Sequence, residues 1–346
     1  MSFKRFIPAL ILAIAIAALV VYRFAASRDE VPPYKTTFLV FNTEATVTVF
    51  DDDRENAAES CRDLIGKLTE LHLAINAYDE SSELSRLNAT AAEQPFHCSP
   101  LLWDIILKSE DAWKLSDGLF DVTVGPLLAL WGFHAKQDKL PTQQDVDTVL
   151  QLVGFGKLIL DKDAHTLQFP RKGMRLDFGG IAKGYALQLS MDVLNSHDLH
   201  SYLIDLGGNI FRTDTPDGDI IGITNPSDKT TLLGTVKLHG QCIATSGNYE
   251  RFRTIQGKRI AHIMDPRTGW PVTLDETPRS VTAITRDPTF SDVFSTTAFV
   301  GGEDTARKLV QSYPGTTFIF AKSDSAGHLA TSIVGDCDFK PFQPKH

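Results

Sequence analysis

The chain has 346 residues, 42% apolar and 22% charged, which leaves room for one large domain or two intimately packed lobes around a sizeable core. Its formal net charge is −9 and no contiguous basic run occurs, which excludes nucleic acid as a natural partner. Any phosphate ligand must therefore be held by local geometry or by a metal.

Lys4 and Arg5 precede an almost unbroken apolar stretch from Phe6 to Val21, which Phe24, Ala25 and Ala26 carry past Arg23. The pattern predicts a signal sequence or short signal-anchor helix over residues 1–30. No cysteine lies near its end for lipoprotein-type processing, and Phe24 spoils the small-x-small site that a cut after Ala26 would need. The expectation is thus an uncleaved membrane anchor with the N-terminus in the cytoplasm and the body outside, with a soluble, cleaved form as the alternative. Val31, Pro32 and Pro33 stiffen a spacer over residues 31–37.

Alternation from Thr46 to Phe50 predicts a half-buried strand. Ala57, Cys61, Leu64, Ile65, Leu68, Leu71 and Ile75 recur at helical spacing and predict an amphipathic helix over Asn56–Ile75. A second helix is predicted over Pro100–Leu115, with Ser99 as its cap, proline in its first turn and Gly118 as its stop. Beyond residue 150, short strands are predicted at Lys157–Leu160, Thr166–Phe169, Tyr202–Ile204, Ile220–Thr224, Leu233–Leu238, Ile243–Thr245, Val281–Thr285 and Thr316–Ala321. Helices at Ile181–Asn195, Asp292–Val300 and Asp304–Tyr313 interrupt them without a regular βαβ repeat, so the fold class is α+β. Cys61, Cys98, Cys242 and Cys337 match no zinc spacing; a Cys61–Cys98 bridge and four unpaired thiols are both compatible with the sequence.

The chemistry is concentrated in the glycine-rich segments. In RLDFGGIAKGY, Arg175–Tyr185, a strand is expected to end at Asp177, followed by a glycine pair and a helix start. Gly179 and Gly180 free the backbone to approach a ligand, the helix start offers N–H groups to an anion, and Lys183 adds a charge one turn on. The same residues also describe a tight turn with a solvated lysine. LIDLGGNI, Leu203–Ile210, repeats the strand, acid and glycine-pair form, and CIATSGNYERF sets Thr245, Ser246 and Gly247 just after a strand. In HIMDPRTG, a turn at Asp265 and Pro266 leaves His262 and Arg267 able to face a phosphate. In SDVFSTTAF, Ser291 is read as a helix cap, and Asp292 and Thr296 share a helix face at i and i+4. That pair offers two oxygen ligands to Mg²⁺, although an acid at a helix N-terminus is also favoured by the dipole alone.

Taken in order, together with AYDESSELSRLN at Ala77–Asn88 and DGLFDVTVGPLLALWGF at Asp117–Phe133, these segments make the chain resemble the ApbE family of FAD:protein FMN transferases. The resemblance spans about residues 38–335 and leaves 336–346 as a C-terminal tail. It implies an α+β fold of two packed lobes with mixed sheets and FAD, the substrate, in the cleft between them. Phe41 and Tyr78 should lie against the flavin, and the backbone of Leu119, Phe120 and Asp121 should line its site. Asp177 and Lys183 match positions that hold the nucleotide portion, while Ser246 and Ile263 match the cofactor-binding wall. The Gly180 carbonyl, the Asp292 carboxylate and the Thr296 hydroxyl match Mg²⁺ ligands, and His262 matches a proton-transferring histidine. The implied reaction is Mg²⁺-dependent transfer of FMN onto a threonine or serine of an acceptor flavoprotein, with release of AMP. The implied setting is the bacterial inner membrane with the body in the periplasm. An FAD-binding protein, or a pyrophosphatase releasing FMN and AMP, is the alternative. The chain departs from the family's usual first strand, carrying Phe41 and Asn42 where methionine and glycine are customary.

Overall fold

In the computed structural model, residues 32–134, 137–248, 251–272, 280–323 and 329–342 are described. The N-terminal anchor expected over 1–30 lies outside them; among the described residues no helix is long and apolar enough to cross a membrane.

Strand β1 (Tyr34–Val40) begins inside the segment read as spacer and pairs with β2 (Thr43–Val49) across a two-residue turn at Phe41 and Asn42. Helix α1 (Arg54–Ile75) is capped by Asp53, which accepts from Asn56 N at 3.0 Å, and buries the predicted stripe from Ala57 to Ile75. Helix α2 (Glu83–Thr90) and strand β3 (Phe96–His97) lead into α3 (Pro100–Leu115), whose Ser99 cap and first-turn proline are as the sequence predicted. Helices α4 (Gly125–Leu130) and α5 (Gln143–Leu150) follow, the second closed by a Thr142–Asp145 capping box. A 3₁₀ turn replaces the start of the strand expected at Lys157, leaving β4 (Ile159–Asp161) and β5 (Thr166–Gln168) beside it.

Helix α6 (Ala182–Ser196) precedes β6 (Tyr202–Leu206), β7 (Ile210–Arg212), β8 (Asp219–Asn225), β9 (Asp228–Leu238) and β10 (Cys242–Gly247). The hairpin β11 (Phe252–Ile255) and β12 (Lys258–Ala261) stands apart from the larger sheets. After β13 (Ser280–Thr285), helix α7 (Pro288–Ser312) contains the two helices predicted separately, with non-helical Gly302 at their junction. Strands β14 (Thr317–Ser323), β15 (Leu329–Val334) and β16 (Phe339–Pro341) complete the order. Because β16 pairs with β9, the chain beyond 335 continues into the fold instead of trailing from it as a tail.

The main sheet runs β1-β2-β6-β7-β10-β13-β14-β15, and every strand pairing among the described residues is antiparallel. This corrects the expectation of mixed sheets: neighbouring strands are joined by hairpins or by excursions that return against the first strand, never by a parallel crossover. Alternation sets its two faces. Val281, Ala283, Phe318 and Phe320 join the cluster that includes residues of α1, α6 and α7, while Ile284 and Ile319 meet Ile221, Ile223 and Val236 on the opposite side. Each fully buried phenylalanine contributes about 1.5–3 kcal/mol. A third apolar cluster gathers Leu127, Leu128, Trp131, Val146 and Met264. All four cysteines are free, so the Cys61–Cys98 bridge does not form.

Candidate active site

A cavity of about 720 Å³ lies where the three apolar clusters meet, taking Phe120 and Ile263 from the first, Ile221 and Ile243 from the second and Leu128 and Met264 from the third. Phe41, Tyr78, Leu119, Phe120, Asp121, Asp177, Gly180, Lys183, Ser246, His262, Ile263, Asp292 and Thr296 all contribute to its wall. These residues, each singled out from sequence, are thus brought together around one space, of a size suited to a nucleotide-like ligand.

The approach to Asp177 is not the strand expected; it is an irregular extended segment held by specific bonds. Leu176 N donates to Asn88 Oδ1 at 2.8 Å, Asn88 Nδ2 donates to Leu176 O at 3.0 Å, and Asp177 N donates to Val122 O at 2.7 Å. Burial alone would raise the Asp177 carboxyl, but His134, the Gly179 N–H and Arg251 together hold it below the usual carboxylate range. His134 Nε2 lies 3.1 Å from Asp177 Oδ2, and its ring centroid is 5.0 Å from that of Tyr78. Neither His134 nor Arg251 was singled out from sequence. A lone histidine after a Trp-Gly turn carries no pattern, and Arg251 sits in a segment whose hydroxyls drew the attention.

Helix α7 starts at Pro288, capped by Asp287 through Phe290 N at 3.0 Å. The expected Ser291 cap is therefore corrected: Ser291 is buried and donates to Pro288 O at 2.7 Å. Asp292 and Thr296 consequently lie inside the helix, which removes the dipole explanation for the carboxylate. Asp292 is 6% exposed, and burial pushes its carboxyl above the ordinary range despite Lys183, Asn209 and the N–H groups of Gly184 and Lys183. A carboxylate so incompletely compensated suits a cation. Thr296 Oγ1 is 2.9 Å from Ser246 Oγ, and a Cβ placed on Gly180 would come within 3.7 Å of Thr296 Oγ1. One carboxylate, one hydroxyl and a neighbouring backbone carbonyl fit a hard cation such as Mg²⁺, which otherwise keeps water and substrate phosphate. Thr245, Ser246 and Gly247 lie within β10 and not after it, and Thr245 is engaged with Thr282 at 2.8 Å.

His262 Nδ1 lies 3.0 Å from the Arg251 carbonyl, which can only accept, so Nδ1 carries the proton and Nε2 the lone pair. Burial lowers its pKa to about 4, so the ring is neutral at pH 7. Its neighbour is fixed by Val272 N donating to Ile263 O at 2.9 Å, and the turn beyond by Trp131 Nε1 donating to Gly269 O at 2.9 Å. Arg267 does not face the cavity as expected: its Nε and Nη2 bond to Asp265 at 3.0 and 2.8 Å, folding the turn upon itself. The Asp121 carboxylate likewise turns inward, accepting from Thr123 N and Phe155 N at 2.8 Å each, which leaves its backbone on the wall.

Known proteins of the same build carry matching sequences. The FAD:protein FMN transferase of Klebsiella pneumoniae (strain 342) is 35% identical over 222 residues, covering 63% of this chain and 68% of that protein. The FAD:protein FMN transferase of Treponema pallidum (strain Nichols) is 29% identical over 330 residues, 89% of each. The crystal structure of the ApbE protein from Thermotoga maritima superposes with a TM-score of 0.76 at 26% identity, over 87% of this chain and 97% of that one. The apo flavinyl transferase ApbE of Pseudomonas stutzeri gives 0.74 at 26%, over 87% and 94%. With the ApbE family profile matching residues 41–320, the chain belongs to the ApbE family.

Proposed function

We propose that this enzyme transfers FMN from FAD to a threonine or serine hydroxyl of acceptor flavoproteins in a Mg²⁺-dependent reaction that releases AMP. The observation that carries the reading is that Asp292, Thr296 and Gly180 line the same cavity as His262. The acceptor Oγ forms a bond to the FMN phosphorus, the bond from that phosphorus to the bridging oxygen breaks, and AMP leaves with the oxygen. His262 Nε2 takes the hydroxyl proton. Gly180, Asp292 and Thr296 would hold the metal, and Lys183 and Asp177 would hold the nucleotide portion. Mg²⁺, when bound, neutralises the phosphates and eases the departure of AMP. Phe41, Tyr78, Leu119, Phe120 and Ile263 grip the flavin. The N-terminal apolar stretch anchors the enzyme in the inner membrane with this body in the periplasm.

The test is incubation of the enzyme with FAD, Mg²⁺ and a threonine-bearing flavoprotein, followed by a denaturing gel. A fluorescent acceptor band and stoichiometric AMP are expected. Free FMN and AMP without a labelled band would make the protein a pyrophosphatase, and unconsumed FAD would leave it a binding protein.

A further inference from the structure

From Arg251 to Met264 the chain carries Arg251, Arg253, Lys258 and Arg259 and no carboxylate, in a protein of net charge −9. They are interleaved with other residues, so they form no basic run; the β11–β12 hairpin is what gathers them. Buried Ile255 and Ala261 seat the hairpin, and Ile260 packs on the third apolar cluster. Lys67, Lys114, Lys162, Arg307 and Lys322 elsewhere all have carboxylate partners. Arg253, Lys258 and Arg259 have none among the described residues. Arg259 instead lies over the ring of Phe252, 3.7 Å from its centroid, and that ring is 47% exposed.

The hairpin is also joined to the chemistry. A side cavity of about 420 Å³, lined by Tyr78, Phe133, Arg251, Phe252 and Arg253, shares the first three with the main cavity. The Arg251 carbonyl at the hairpin's root takes the His262 N–H at 3.3 Å and faces Nδ1 at 3.0 Å. We propose that this hairpin and side cavity are the docking surface for the acceptor protein, and that they take an acidic segment beside the hydroxyl to be modified; this rests on the transferase reading above. A hydroxyl on its way to His262 passes this positive mouth. An otherwise acidic enzyme needs such a local field to orient an acidic partner, and an exposed aromatic under an arginine supplies the apolar anchor.

Two fluorescein-labelled peptides test the proposal, each with a central threonine, one flanked by aspartates and the other by asparagines at the same positions. Their binding to the full enzyme is followed by anisotropy at low and high salt. The aspartate peptide should bind at least about tenfold tighter at low salt and lose most of that advantage at high salt. Arg253→Glu/Arg259→Glu should abolish the preference while FAD affinity, read by flavin fluorescence, stays within about twofold. Lys258→Glu, at the exposed start of β12, should weaken it without risk to the fold. Equal binding of the two peptides, no binding of either, or a preference that survives the charge reversals would each overturn the docking proposal. A loss of FAD affinity in the double variant would do the same, by assigning the arginines to the nucleotide. Wild-type FMN transfer to a flavoprotein, measured separately, tests the underlying activity and does not depend on which peptide binds.

Discussion

Gly184 N donates to Asp292 Oδ2 at 3.0 Å, and a Cβ at Gly184 would stand 2.7 Å from Asp292 Cβ and 2.7 Å from Pro288 O. Helices α6 and α7 thus touch backbone to backbone at the point where the carboxylate is aimed. Gly184→Ala has no flexible side-chain tip to displace, so the helices must part. We expect a loss of about 1–3 kcal/mol, read by denaturant unfolding, and a higher magnesium requirement. Unchanged stability would mean that the contact yields freely.

Asp292→Asn separates stability from function. Removing a buried charge whose carboxyl is already pushed upward should leave the melting temperature of the metal-free protein unchanged or higher. Transfer should nevertheless collapse at ordinary magnesium and recover in part at high magnesium, with Thr296→Val a milder version. Rate measured against magnesium concentration checks both, and a normal requirement in both variants would remove them from the metal site.

His262 gives a pH signature. Its folded pKa of about 4 lies below the value of about 6.5 for an unperturbed histidine, so the unfolded chain binds more protons between the two. Its contribution to stability is therefore intact above about pH 6.5 and declines as the pH falls towards about 4. In His262→Ala that portion of the slope should vanish from unfolding curves taken across this window. Transfer at pH 7 should fall about 10²–10⁴-fold, with FAD affinity roughly kept. A normal rate would reduce His262 to a member of the turn.

The first turn carries a trade. Phe41 and Asn42 have φ of 51° and 58°, a type I′ pair that favours Asn-Gly. Asn42 tolerates the left-handed conformation that the customary glycine adopts freely, so its replacement preserves the local path. Phe41 does not tolerate it well, yet its ring meets His72 with centroids 5.5 Å apart on the cavity wall. Phe41→Asn should stabilise the hairpin by about 1 kcal/mol and weaken FAD binding. Thermal melts with a flavin titration measure both, and unweakened binding would dismiss Phe41 from the flavin site.

The sequence displayed what is periodic or capped. The stripe of α1, the Ser99 cap of α3 and the Asp292–Thr296 spacing each express a local rule, and each stands at the expected position. The hairpin β11–β12 escaped notice because its strands are four residues long and show no clean alternation of apolar and polar positions. The Ser291 cap was misplaced because Asp287 followed by Pro288 is the stronger start, one turn earlier. His134 and Arg251 reach Asp177 only through tertiary folding, and no spacing encodes that meeting.

The main sheet joins β2 to β6, with Ala45 opposite Leu206 and Val49 opposite Tyr202. During synthesis, at about 5–20 residues per second, roughly eight to thirty seconds separate the appearance of these partners. Throughout that interval β2 offers a bare, alternating edge, the kind of surface on which nascent chains aggregate. Phe41 and Thr296 are separated further still, so no partial chain holds a pocket that FAD can stabilise until α7 has docked. Biogenesis of this enzyme should therefore depend on a holdase that shields the early strands, and added flavin should rescue misfolding only after α7 is made.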